Sequence, residues 1–410
     1  MNHRSIGADQ LHTLLGGTGE LALIDIREVE DFRPSHIYHA AYLPASWRTD
    51  RRARVAALIP RKDTLVVLVA DPRISAGEPG SASAEAAEWG EWGYTDVRVL
   101  DGGTDAWLAT GRRGFRNLCV PSKALAESAR DVYLTPGVTA VELAVRLAGA
   151  RAPVVVDVRS VPEYEEASIP GAVGLPGGEL VAHVSRVVGD TEREVVVTCA
   201  GRTRAIFAAQ SLRDAGLVNP VVFLDGGTTA WRNAGYSLAP GVRTVGDTHS
   251  QSPVLPAASG YDAGIARIGV AGVDDLLADT RRTTYLIDPR LVPADVPDGI
   301  EGVRHVPGGQ LVEAIDEYVP VLRARVVLVD DAPYVRALAL ARWLRASRLV
   351  SVYVLDESVV GPPPHSDIPV STGPVRDVEN VDGGLEPDVR QWSLNLPSLV
   401  GSEPGGGFAL

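Results

Sequence analysis

The sequence predicts an α/β protein of three repeated units, each a small parallel β-sheet flanked by helices. Two observations carry this expectation. One order of features occurs three times along the 410 residues: an amphipathic helix, a strand ending in Asp-x-Arg, a second strand, and a third strand ending in Leu-Asp. The strands themselves, such as "VVVDV" and "RVVLV", are short, apolar and β-branched. Such runs read as strands buried on both faces of a mostly parallel sheet covered by helices.

The Asp-x-Arg strands are "LALIDIR" (Asp25, Arg27), "VVVDVR" (Asp157, Arg159) and "TYLIDPR" (Asp288, Arg290), so the aspartates stand 132 and 131 positions apart. Downstream, "LPGGELV" from Leu175 is answered by "VPGGQLV" from Val306, again offset by 131. The strand "VRVLDGG" at 97–103 matches "VVFLDGG" at 221–227 and, more weakly, "VYVLDES" at 352–358. One offset held across separate motifs marks an internal repeat. Between the strands, "AIFAAQSLRDAG" and "RALALARWLRAS" place apolar side chains at helical spacing.

These motifs predict units at residues 1–116, 132–238 and 264–358. Residues 117–136, which hold Cys119, and residues 238–260 read as linkers, the second of them flexible. Residues 359–410 turn to Pro and Gly ("GPPPHSDIPVSTGPV", "SEPGGGFAL"), a tail expected to bury little and to run extended or disordered. The third unit is also expected to lack a counterpart of the "TTAWRNAG" closing helix.

Composition narrows the function. With 52 acidic against 39 basic residues and a formal charge of −13, nucleic acid is excluded as a main partner. No apolar run approaches the roughly 20 residues that span a bilayer, so no membrane association is expected. The opening "MNHRSIGADQLHTLLGGTGE" has neither a continuous apolar segment nor a small-residue cleavage site, and a cytoplasmic location is expected. Two cysteines cannot build a disulfide framework or a multi-cysteine zinc site, and the eight histidines show no ligand spacing. His36 and His39 read as surface or packing residues. No metal and no cofactor are expected.

The stretch "VVVTCAGRTRA" at 195–205 holds the candidate site. Cys199 ends a strand and precedes a helical pattern, and in parallel sheets ligands bind at the carboxyl ends of the strands. A thiolate is the reactive form, and a free thiol with a pKa of about 8.5 is mostly protonated at neutral pH. The loop amides and the helix N-terminus are expected to point at the sulfur, with Gly201 letting the backbone curl and Arg202 and Arg204 adding charge. This predicts a thiol pKa below the ordinary value. A buried packing cysteine is the plainer alternative, but the small and cationic residues that follow make a poor hydrophobic plug.

With "EYEEASIPGAVGLP" and the closing "VVFLDGGTTAWRNAG" beside these motifs, the chain resembles the rhodanese family of sulfurtransferases. The resemblance covers most of residues 1–358, strongly in unit two, clearly in unit one and more faintly in unit three. It implies three rhodanese-like units and a catalytic Cys199. That cysteine would take a sulfane sulfur from thiosulfate, or a related donor such as 3-mercaptopyruvate, and become a persulfide. It would then pass the sulfur to cyanide or a thiol acceptor, small or carried on a protein.

By the same matching, Ala200, Gly201, Arg202, Thr203 and Arg204 would form the loop that holds the persulfide and the donor's oxyanion end. Asp157, Arg159 and Glu163 would support that loop. Ser168 stands where the family usually has histidine. Glu163 stands where several two-domain members carry a substrate-binding arginine, which leaves Arg202 and Arg204 to meet the donor's charge. Arg204 would fold back over the loop's mouth, while Arg202 could point to solvent.

Ala70 in unit one and Asp330 in unit three occupy the place of Cys199, so both units are expected to be inactive. Two other readings stay open. A cysteine phosphatase or arsenate reductase would need Cys-x5-Arg, where this chain has Ala205. A non-enzymatic binding or regulatory protein would suit two inert units. Cys119 reads as a packing residue, or alternatively as a resolving thiol.

Overall fold

A computed structural model describes residues 4–47, 49–189, 191–242, 264–291, 302–357, 387–404 and 406–410. Most of the linker expected to be flexible, the region of the missing closing helix and the first part of the tail lie outside these residues. Three sheets form, one per repeat. In the second, the strands lie side by side in the order Gly137–Val138, Val221–Leu224, Val195–Thr198, Val154–Asp157 and Val173–Gly174, all parallel. The third repeats this order with Ala266–Ile268, Ser351–Leu355, Arg325–Leu328, Thr284–Asp288 and Val303–His305.

The first sheet runs Arg4–Ile6, Val97–Leu100, Val66–Val69 and Leu21–Asp25, with Ala41–Tyr42 pairing to the last. It also takes an antiparallel strand from the third repeat, Val321–Leu322, beside Leu21–Asp25. The repeats are therefore joined by a shared sheet as well as by packing. Two residues of strand carry no pattern that would announce this.

The central strand Val195–Thr198 has all four residues inaccessible to solvent, as an unbroken apolar run predicts. Each Asp-x-Arg closes on itself at its strand end. Arg Nε and one Nη bond the two carboxylate oxygens at 2.9 and 2.7 Å in unit one, 3.0 and 2.7 Å in unit two, and 2.9 and 2.7 Å in unit three. A bidentate pair of this kind satisfies a buried carboxylate with fixed geometry.

Two expectations about the connections are corrected. Residues expected to form the first linker contain the helix Val120–Tyr133, which packs on the helix Thr203–Asp214. Pro121 at its first turn suits a helix start, and Ala124, Leu125 and Ala129 give it a buried face. The end of the chain also buries surface. The helix Pro387–Val400 lies against Val120–Tyr133, with Leu396 and Val400 inaccessible beside Tyr38, Phe115 and Val120.

His36 and His39 are packing residues. Burial lowers them to about 3 and about 4, so both are neutral at ordinary pH. Their ring nitrogens meet the carbonyls of Phe32 and Pro404.

The two PGG motifs meet face to face. A Cβ on Gly178 would lie 3.0 Å from the Gly308 nitrogen, and one on Gly309 would lie 3.3 Å from the Gly177 nitrogen. The glycines permit this backbone-to-backbone approach. Units two and three clasp here, and the clasp sets the surroundings of Cys199.

Candidate active site

Cys199 follows the central strand of the second sheet directly and is 2% exposed. Its carbonyl accepts from Thr228 N at 2.8 Å, and that of Ala200 accepts from Thr229 N at 3.1 Å. These donors open the helix Gly227–Asn233, so the LDGG motif anchors the cysteine loop from beneath. Gly227 has φ +56°, and a Cβ there would come within 2.2 Å of the Cys199 oxygen. Only glycine fits.

The amides of Ala205 and Gly201 donate to the Cys199 sulfur. Ala200, Gly201 and Thr203 of the loop are half-buried. The amide cradle matches the expectation, but the predicted shift of the thiol is reversed. Burial pushes Cys199 up to about 11, and the charge of Arg204 and the two amides only partly offset it. Desolvation disfavours the charged form more strongly than two amides and a compensated cation favour it.

The arginines differ from expectation for one reason: carboxylates from distant segments reach both. Arg202 Nε and Nη2 bond Glu127 at 2.7 and 3.0 Å, and its Nη1 bonds Asp225. Arg202 is 6% exposed, facing the helix Val120–Tyr133 and not solvent. Arg204 Nη1 and Nη2 each bond Glu163 at 2.9 Å. Its Nε lies 2.9 Å from Glu313 of the third unit, an ion pair by distance without hydrogen-bond alignment. Neither arginine offers an unspent charge to a donor.

Glu163 also accepts from Ser160 N and Oγ, capping the helix Val161–Glu166. Asp157 is held by Arg159 and by the Ser168 hydroxyl, which donates at 2.6 Å. Ser168 thus supplies a donor where the family's histidine is missing. Arg159 reaches on to the Ala167 carbonyl, so among the described residues the side chains of this pair brace the 167–168 turn and not the cysteine loop. Sequence reasoning missed Glu127, Asp225 and Glu313. Asp225, the aspartate of the LDGG motif, was the one signal within reach.

In unit three the loop is filled from within. Asp330 accepts from the amides of Asp331, Arg336 and Ala337 at 2.9, 3.1 and 3.0 Å, and from Arg336 Nη1 at 3.2 Å. Its carboxylate occupies the anion cradle of its own loop. In unit one the place is taken by Ala70, 4% exposed. Cys119 and Cys199 are both free thiols, and Cys119 is buried with its sulfur 3.7 Å from Glu317. Among the described residues no group of three or more His, Cys, Asp and Glu could hold a metal ion, and no helix is long and apolar enough to cross a membrane.

Fold and loop together define a class: α/β proteins that present one cysteine to the amides of a strand-to-helix loop, with the family of sulfurtransferases among them. The chain belongs to the rhodanese family. The model of the rhodanese-like domain matches residues 7–110 and 139–234. The structure resembles that of thiosulfate sulfurtransferase from Pseudomonas aeruginosa, with a TM-score of 0.77 at 36% identity over 88% of this chain and 69% of that one. The chain is also 36% identical over 121 residues to an HTH-type transcriptional regulator of Mycobacterium tuberculosis. That match spans 28% of this chain and 51% of the regulator, about half its length.

Proposed function

We propose that the protein is a sulfurtransferase in which Cys199 carries the sulfur, with thiosulfate or a related donor on one side and cyanide or a thiol on the other. The observation that carries this is the pair of amides, Gly201 and Ala205, aimed at the only cysteine sulfur set at a strand-to-helix loop. The Cys199 sulfur attacks the outer sulfur of thiosulfate. The donor's S–S bond breaks, a new S–S bond forms on Cys199, and sulfite leaves with the thiol proton. An acceptor nucleophile then takes the outer sulfur and Cys199 is released as a thiolate. The amides hold the negative charge that stays on the enzyme at each stage.

Residues 1–116, 132–238 and 264–358 serve as the three units, with chemistry in the second and scaffolding in the other two. Ala200 to Arg204 form the persulfide loop. Asp157 and Arg159 brace the neighbouring turn, and Glu163 orients Arg204. The reaction calls for no metal or cofactor, the partners are small molecules or an acceptor protein, and the protein works in the cytoplasm. A second reading, a non-catalytic rhodanese-like regulatory protein, is favoured by the burial of Cys199 and its raised pKa.

The pH profile separates the two. With the thiol at about 11, the thiolate fraction rises about tenfold per pH unit below that value. Thiocyanate formation from thiosulfate and cyanide is expected to climb steeply with pH from neutrality, in parallel with the alkylation rate of Cys199 by iodoacetamide. No thiocyanate at any pH, with alkylation intact, selects the regulatory reading.

A further inference from the structure

The clasp between units two and three brings a residue of the third unit to the cysteine loop. Glu313 ends the helix Gly308–Glu313, whose start is the second PGG motif packed on Gly177 and Gly178. The contact has a reciprocal partner: Arg336 of unit three, the second residue of the helix Val335–Ala346, bonds Glu179 of unit two at 2.6 Å. Arg204 itself lines the cleft between the units, with Pro176, Gly177, Pro307 and Gly308. Glu163 and Glu313 thus bracket one buried guanidinium from two different units, and the group of three carries one net negative charge. The second arginine of the loop is likewise set between two carboxylates, Glu127 and Asp225.

We propose that Glu313 is a specificity-determining residue of the Cys199 site, consuming the charge of Arg204 so that donors of low negative charge are taken in preference to dianions. The inference rests on Cys199 being the sulfur carrier. A hydropersulfide R–S–SH with an uncharged R group meets the selection: Cys199 attacks its outer sulfur, that S–S bond breaks as one forms on the enzyme, and R–S⁻ leaves with the thiol proton. Thiosulfate, with two charges, must approach two carboxylates whose one shared cation is already bonded. Glu313 also acts on the thiol across the unit boundary, since its charge opposes ionisation of Cys199.

The test is steady-state kinetics of the full chain with thiosulfate and with a small alkyl hydropersulfide, for the native protein, Glu313→Gln and Glu163→Gln. Releasing one carboxylate returns a charge-assisted contact to the donor, so KM for thiosulfate is expected to fall at least about fivefold while kcat moves less than about twofold. KM for the hydropersulfide is expected to change by less than about twofold, because little charge is recognised there. Glu163→Gln should shift selectivity in the same direction, which keeps the inference testable if Glu313→Gln does not fold. Equal changes for both donors, or none, overturn it while leaving Cys199 as the carrier. Failure of both donors to label Cys199 in the native protein overturns this inference and the carrier role together.

Discussion

Cys199→Ser is expected to abolish thiosulfate-to-cyanide transfer, with kcat/KM falling on the order of a thousandfold or more, while Cys119→Ser keeps most of it. A serine keeps the volume and both amide contacts but cannot form a persulfide, so the loss isolates chemistry from packing. Cys119 starts the helix Val120–Tyr133 and meets Glu317, a carboxylate of the third unit. Nothing places it as a sulfur carrier. Comparable activity in the two variants would remove Cys199 from the mechanism.

Gly227→Ala has the second largest expected effect. Its methyl group would sit 2.2 Å from the Cys199 oxygen and 2.8 Å from the Ala200 carbonyl, both backbone atoms with no side chain to swing away. The loop must move, and the amides that hold the sulfur move with it. A displacement of about 1 Å at a reacting group costs on the order of a hundredfold in rate, and a clash with positive-φ strain destabilises by about 2–4 kcal/mol. Gly235→Ala is the control, because Gly235 has φ +87° but nothing within 4 Å of an added Cβ. It should lose only about 1–2 kcal/mol of backbone strain and keep its rate. Thermal melts and kinetics that place the two variants together would contradict the anchoring role of Gly227.

Much of the fold was legible because its signals are local. The Asp-x-Arg pairs close within three residues, the apolar runs name the buried strands, and the common offset aligns the three loops. That alignment identified Cys199, Ala70 and Asp330 as equivalents, and the structure puts all three at the carboxyl ends of corresponding strands. The helix Val120–Tyr133 was also within reach, since Pro121 and the spacing of Val120, Ala124 and Leu125 are helical signals.

The electrostatics of the site were not legible. Looking only at neighbours in sequence, Arg202 and Arg204 stand in a stretch without carboxylates. Folding brings Glu127 from 75 positions away, Glu163 from 41 and Asp225 from 23, and Glu313 from another unit. Burying an arginine without a partner is costly, so two arginines in a loop at a sheet edge must each find one. That rule predicts pairing but not with whom. The raised thiol pKa has the same origin, because it follows from the clasp that buries the loop and from partners that spend its cations.

Electrospray mass measurement of the full chain after incubation with thiosulfate and removal of free reagent is the most direct test of Cys199 as the sulfur carrier. A gain of about 32 Da, one sulfur atom, is expected on the native protein and on Cys119→Ser, lost on adding cyanide and absent from Cys199→Ser. No gain on the native protein, or the same gain on Cys199→Ser, would contradict it.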